Sequence, residues 1–145
     1  MKALLQRVTR ANVDVAGKCV GRIEQGLLVL LGLDKGDDRS TADRMLDKLL
    51  AYRVFPDESG RMNNSVTDIG GGVLLISQFT LSADTRKGLR PGFSTALPPT
   101  EAESLYHYTL EQLRSRHPDV AAGVFGADMQ VSLTNDGPVT FLLEV

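Results

Sequence analysis

The sequence is poor in the residues on which most familiar active sites are built. Its 145 residues include one cysteine and two histidines. A single cysteine excludes an internal disulfide framework and fits a reducing, cytoplasmic setting. Cys19 stands in a strand-like run with no histidine-bearing motif around it, which reads as a packed core thiol. His107 falls off the apolar face of a helical segment and His117 precedes a proline, so both read as surface residues. Neither has metal-ligand spacing to the other or to Cys19, and no metal or other cofactor is expected. No apolar run reaches transmembrane length, and the N-terminus lacks the basic-then-apolar pattern of a signal peptide. An excess of positive charge is missing too. The formal charge of −2 argues against indiscriminate nucleic-acid binding and leaves any RNA contact to a local basic patch. The G-x-S-x-G pattern of a nucleophile elbow is absent. Gly70–Gly72 has neither the lysine of a phosphate loop nor the spacing of a dinucleotide fingerprint, and reads as a flexible lead-in to a strand.

What is present describes one globular unit spanning 1–145. Hydrophobic residues make up 42% and charged residues 23%, an ordinary soluble balance. Residues 1–15 alternate as a strand, Ala16–Lys18 signals a tight turn, and Cys19–Gln25 returns. Gly26–Leu33 is apolar without alternation, so both faces of that strand should be covered. Ser40 with Asp43, and later Thr100 with Glu103, have capping-box spacing and are expected to open two helices. Ala42, Met45, Leu46, Leu49 and Leu50 give the first helix its apolar face. Ala102, Leu105, Tyr106, Thr109, Leu110 and Leu113 do the same for the second, which Pro118 closes. The expected order is three strands, helix, two strands, helix, two strands: an α/β fold with a mixed sheet. No repeat, low-complexity tract or long linker divides it.

Three stretches carry possible chemistry. In Ser77–Leu81, "SQFTL", polar groups follow the wholly apolar run Val73–Ile76. Polar side chains at the end of a buried strand either find hydrogen-bond partners or line a pocket. Thr85–Gly92, "TRKGLRPG", places Arg86, Lys87 and Arg90 among glycines and a proline. Such a loop either holds a phosphate backbone or is solvated surface. Thr134–Thr140, "TNDGPVT", interrupts two alternating runs with turn chemistry, so a hairpin turn is one reading and a functional loop the other. Pro138 removes a donor where the last strand should begin pairing.

"SQFTL" followed by "NDGPVT" near the C-terminus resembles D-aminoacyl-tRNA deacylase, the free-standing chirality-proofreading family. The resemblance covers the whole chain, through "MKALLQRVTRANV", "GLLVLLG", "RMNNSV" and "FGADMQVSLTNDGPVTFLLE". It implies a single α/β domain with a mixed, barrel-like β core and two main helices, assembled as a homodimer. The activity it implies is hydrolysis of the ester of D-aminoacyl-tRNA, and of mischarged glycyl-tRNA. A non-catalytic module recognising the aminoacylated 3′ end is the alternative.

Site residues follow by the same resemblance. Ser77, Gln78, Phe79 and Thr80 fall on the active-site motif, where main-chain N–H groups would polarise the ester carbonyl. The Gly137–Pro138 bond would be cis and would reach into the partner subunit's pocket, its carbonyls capturing the substrate's amino group. A rigid main-chain wall there would exclude an L side chain by collision. Arg7 would orient this element and Met129 would line the pocket, although Arg7 also reads as an edge-strand charge. Arg86, Lys87 and Arg90 are the candidate tRNA contacts. Thr80 is expected to support or polarise rather than attack, since no general base lies near it in sequence.

Overall fold

The computed structural model describes residues 1–145 as one α/β domain. The strands are β1 (Lys2–Val15), β2 (Lys18–Ile23), β3 (Gly26–Gly32), β4 (Phe55–Pro56), β5 (Met62–Asn64), β6 (Gly72–Ser77), β7 (Val120–Ala122) and β8 (Gln130–Glu144). The helices are α1 (Arg39–Ala51) and α2 (Pro99–Arg116). The main sheet runs β2-β1-β3-β6-β7, with β8 on β1, while β4 and β5 form a small separate hairpin. β3 and β6 pair in parallel through the α1 crossover, and β1 pairs antiparallel with β2, β3 and β8. The sheet nearly closes on itself. A Cβ at Gly21 of β2 would stand 2.7 Å from the Ala122 carbonyl oxygen of β7, so only glycine allows this approach.

The two apolar runs that lack alternation are buried on both faces, as expected for central strands. Leu27, Val29 and Leu31 of β3, with Val73 and Leu75 of β6, join the helices in one core. Leu28, Leu74 and Ile76 point the other way and meet Val8, Ala11, Val13 and Ile23 inside the curl of the sheet. The buried face of α2 is Ala102, Leu105, Tyr106, Thr109, Leu110 and Leu113, and that of α1 adds Thr41 to Ala42, Met45, Leu46 and Leu49. Leu50 is only partly buried, packing at the edge of this core.

Several local expectations change. α1 is capped by Asp38, whose carboxylate accepts from Thr41 N–H at 2.8 Å, so Ser40 lies inside the helix. α2 has Pro98 at its cap position without a side-chain bond, and Thr100 is already helical. Cys19 is exposed, because β2 is covered only where Gly21 and Ile23 approach its neighbours. His117 is buried at the end of α2, its Nε2–H donating to the Gly71 carbonyl at 2.7 Å. The segment that buries it is 46 residues away, beyond the reach of local pattern.

The largest difference lies at "TNDGPVT". The two alternating runs around it are not two strands joined by a hairpin turn. Both pair with β1 in the same direction, Thr134 with Arg10 and Thr140 with Gln6, so they are one strand interrupted by a bulge.

Candidate active site

β6 ends at Ser77, and the chain is tied off by Gln78 N–H, which donates to Leu31 O at 2.7 Å. It then coils into one 3-10 turn, Phe79–Ser82, rather than continuing as strand. The first N–H groups of such a turn, those of Phe79 and Thr80, have no acceptor within it. Gln78 Nε2 donates to Thr80 Oγ1 at 2.6 Å. Phe79 is 61% exposed and lies against Phe93, ring centroids 5.1 Å apart.

Beside this turn opens a cleft of about 710 Å³. Ser77, Gln78, Phe79 and Met129 line it, with apolar walls from Leu31, Ile76 and Val131 and a rim from Phe93 and Lys35. The Thr80 side chain does not line it. Lys35 is the sole ionisable residue in the lining. A second depression of about 510 Å³, between Arg10, Arg22 and Ser132, holds none of the expected site residues. The cleft therefore offers shape and apolar surface beside the free N–H groups of the turn, and Lys35 apart it has no acid–base side chain. His107 is exposed on α2, 3.9 Å from Glu103. Burial pushes the Tyr106 hydroxyl up to about 12, and it donates to Leu75 O at 3.0 Å. No three His, Cys, Asp or Glu side chains converge so as to hold a metal ion.

The Gly-Pro element is a built bulge. Gln6 pairs with Thr140 and Val8 with Asn135, so residues 136 to 139 stand opposite Arg7 alone. Arg7 grips them: its Nε donates to Asp136 O at 3.0 Å and lies 3.3 Å from Asp136 Oδ2. Its Nη1 donates to Val54 O at 2.7 Å, bolting the bulge to the segment after α1. Asn135 closes the loop, accepting from Val139 N–H at 2.7 Å and donating to Thr140 Oγ1 at 2.9 Å. Gly137 has φ +136°, and the Gly137–Pro138 bond is cis. Val139 is buried beneath, while Gly137 and Pro138 are exposed and do not line the cleft of their own chain.

The basic loop is closed at its base by Asp84 and Gly92, which exchange backbone hydrogen bonds of 2.7 and 3.0 Å. Arg86 is not a free cation. Its Nε and Nη2 donate to the two Asp84 carboxylate oxygens at 2.9 and 2.8 Å. These bonds, with the Arg86 N–H, hold the Asp84 carboxyl well below the usual range and raise Arg86. Lys87 and Arg90 are exposed, and the tip residue Leu89 projects fully into solvent. The structure thus brings Ser77, Gln78, Phe79 and Met129 together. It joins Arg7 with Gly137 elsewhere, and sets Arg86, Lys87 and Arg90 in a third place. Sequence reasoning missed Phe93, Lys35 and Asp136, which follow loop signals with no periodicity to flag them.

Comparison with known proteins gives a consistent picture. Residues 4–144 match the protein-family model described as D-Tyr-tRNA(Tyr) deacylase. The chain is 64% identical over 144 residues to a D-aminoacyl-tRNA deacylase of Stutzerimonas stutzeri (strain A1501), covering 99% of each chain. It is 61% identical over 145 residues to a protein of the same name from Pseudomonas putida (strain W619), covering 100% of both. Among solved structures it is similar to one titled c-Myc DNA Unwinding Element Binding Protein. That match has TM-score 0.96 and 45% identity, covering 100% of this chain and 99% of the other. A probable eukaryotic D-amino acid tRNA deacylase shares the fold at TM-score 0.84 and 16% identity, covering 99% and 98%.

Proposed function

The chain belongs to the D-Tyr-tRNA(Tyr) deacylase family, and we propose that it hydrolyses the ester joining a D-amino acid to the terminal ribose of tRNA. The relatives named D-aminoacyl-tRNA deacylase support this activity. One observation carries the mechanism. The cleft beside the Phe79–Ser82 turn has apolar walls and no ionisable side chain but the rim Lys35, while the Gly137–Pro138 element stands exposed, away from the cleft of its own chain.

The reaction then runs on positioning and electrostatics. The aminoacyl ester is already activated, and the Phe79 and Thr80 N–H groups face the charge that develops on its carbonyl oxygen. Water adds to the carbonyl carbon, and the bond to the ribose oxygen breaks. Free D-amino acid and tRNA result. The vicinal ribose hydroxyl supplies the proton relay that no side chain of the cleft offers. The chemistry needs no metal, and hydrolysis in excess chelator tests that point.

Chiral selection is assigned to Gly137 and Pro138 of a second copy of the chain, whose carbonyls meet the substrate's ammonium group. The cleft contains no carboxylate for this task, so a carbonyl wall answers a need the single chain leaves open. A wall at the α-carbon blocks an L side chain and passes D-residues and glycine, which extends the substrates to glycyl-tRNA. The protein works as a homodimer on this reading.

Matched D- and L-aminoacyl-tRNA test it. Release from the D form alone, by a species that sediments as a dimer, is the expected result. Binding without release would mark an RNA-binding module instead, and a fully active monomer would remove the cross-subunit wall.

A further inference from the structure

We infer that Lys35 is a positioning residue that takes the phosphodiester on the 5′ side of the terminal nucleoside and so sets which way the substrate lies. The inference rests on the reading of the cleft as the aminoacyl-tRNA site.

Lys35 is held rigidly at the backbone and free at its tip. Leu97 N–H donates to Leu33 O at 2.9 Å and Lys35 N–H to Thr95 O at 2.9 Å, with Asp34 bridged to Ala96 between them. The residue therefore sits on the strand-like pair that continues from Phe93, whose ring covers Phe79 at the cleft mouth. Its side chain is exposed and pairs with no carboxylate. The two acids nearest in sequence are committed elsewhere: Asp37 lies 2.8 Å and Asp34 3.4 Å from the Met1 ammonium, and Asp34 also lies 3.6 Å from Lys2.

The charge logic is simple. An aminoacylated 3′ end carries a cation, the α-ammonium, and an anion, the phosphodiester on the other side of the terminal sugar. A cleft whose single charge is a lysine attracts the second and repels the first. With the phosphate at the Lys35 rim, the aminoacyl end is directed away from it, toward the interior. A contact of this kind orients the nucleic acid without reading the amino acid.

The test uses the full-length protein, Lys35→Met and Lys35→Arg, on D-aminoacyl-tRNA and on D-aminoacyl-adenosine, which lacks the phosphate. Lys35→Met is expected to narrow the preference for the tRNA substrate about tenfold, through KM rather than kcat, the size of one charge-assisted contact. The log KM against log salt slope should become shallower by about 0.7, one single-strand phosphate. Lys35→Arg should restore both. As a binding readout, the methyl ester of adenosine 5′-phosphate should inhibit the native enzyme better than adenosine, and Lys35→Met should erase that difference. Equal losses on both substrates, or no loss on either, would overturn the assignment. A native protein inert on both D-substrates would instead strike the proposed activity beneath it.

Discussion

Gly137→Ala perturbs the bulge at its tightest point. The backbone there has φ +136°, a region in which a residue bearing Cβ is strained by about 1–3 kcal/mol. The new methyl would also lie 2.6 Å from Val139 Cγ2, 3.0 Å from Val139 N and 3.3 Å from Arg7 Nη2. None of these neighbours retreats easily. Val139 is buried with its N–H bonded to Asn135 Oδ1, and Arg7 is fixed by its bonds to Val54 and Asp136. Overpacking of this kind adds about 1–3 kcal/mol. The paired segments on either side should hold, so relief comes from the bulge shifting outward. For a domain of this length each kcal/mol moves Tm by about 3 °C, so the two costs together predict a drop of roughly 6–18 °C. Hydrolysis of D-aminoacyl-tRNA should fall at least about tenfold, and the residual activity should discriminate less against the L form. Adding Val139→Ala removes the closest contact, so a double-mutant cycle should show coupling of about 0.5–3 kcal/mol in the restoring direction. A Gly137→Ala protein that melts lower yet keeps its full D-over-L preference would show the bulge to be structural only. One that melts and reacts like the native chain would refute the packing argument as well.

Arg7→Met leaves the Val54 and Asp136 carbonyls without their donor and should cost about 2–4 kcal/mol in chemical denaturation, with loss of D-over-L preference as a second readout. Thr80→Ala removes only the partner of Gln78 and should retain hydrolysis within about tenfold of native; an acyl-enzyme trapped on Thr80 would refute this. Lys87→Ala with Arg90→Ala should weaken tRNA binding and flatten its salt slope by about 1–2, leaving chiral preference alone, whereas Arg86→Ala should do less because Asp84 already holds that guanidinium. The Asp57 carboxyl is lowered to about 2 from 3.8, first by the Ser59 hydroxyl and then by Asn63. Its contribution is therefore fully present above about pH 4 and lost as pH falls through about 2, so the Tm gap between native and Asp57→Asn protein should close in acid.

Much of the frame is legible in the amino-acid sequence. Strand and helix periodicity record which face of an element is buried, and this is why the apolar faces of α1 and α2 and the doubly covered β3 and β6 are readable from spacing alone. Helix caps were displaced by two residues or lacked the expected side chain, because a capping spacing identifies a competent residue and not the one the chain uses. Cys19 and His117 depart from the sequence expectation for a related reason. β7 closes on β2 at Gly21 and leaves Cys19 exposed, while Gly71 meets the buried His117, and both partners are remote in sequence.

The candidate site divides the same way. Composition and motif order mark "SQFTL" and "NDGPVT" as the unusual stretches, since polar groups at a buried strand end and a proline within a strand each demand an explanation. Asn-Asp-Gly-Pro has the same local chemistry in a hairpin turn and in a bulge. The tertiary fold decides between them, because the difference lies in the pairing partner: both arms bond to β1, and Arg7 fills the gap opposite. It likewise decides that Arg86 is spent on Asp84 and that Lys35 faces an apolar cleft, since the partner available to a charge depends on which distant segments the chain brings beside it.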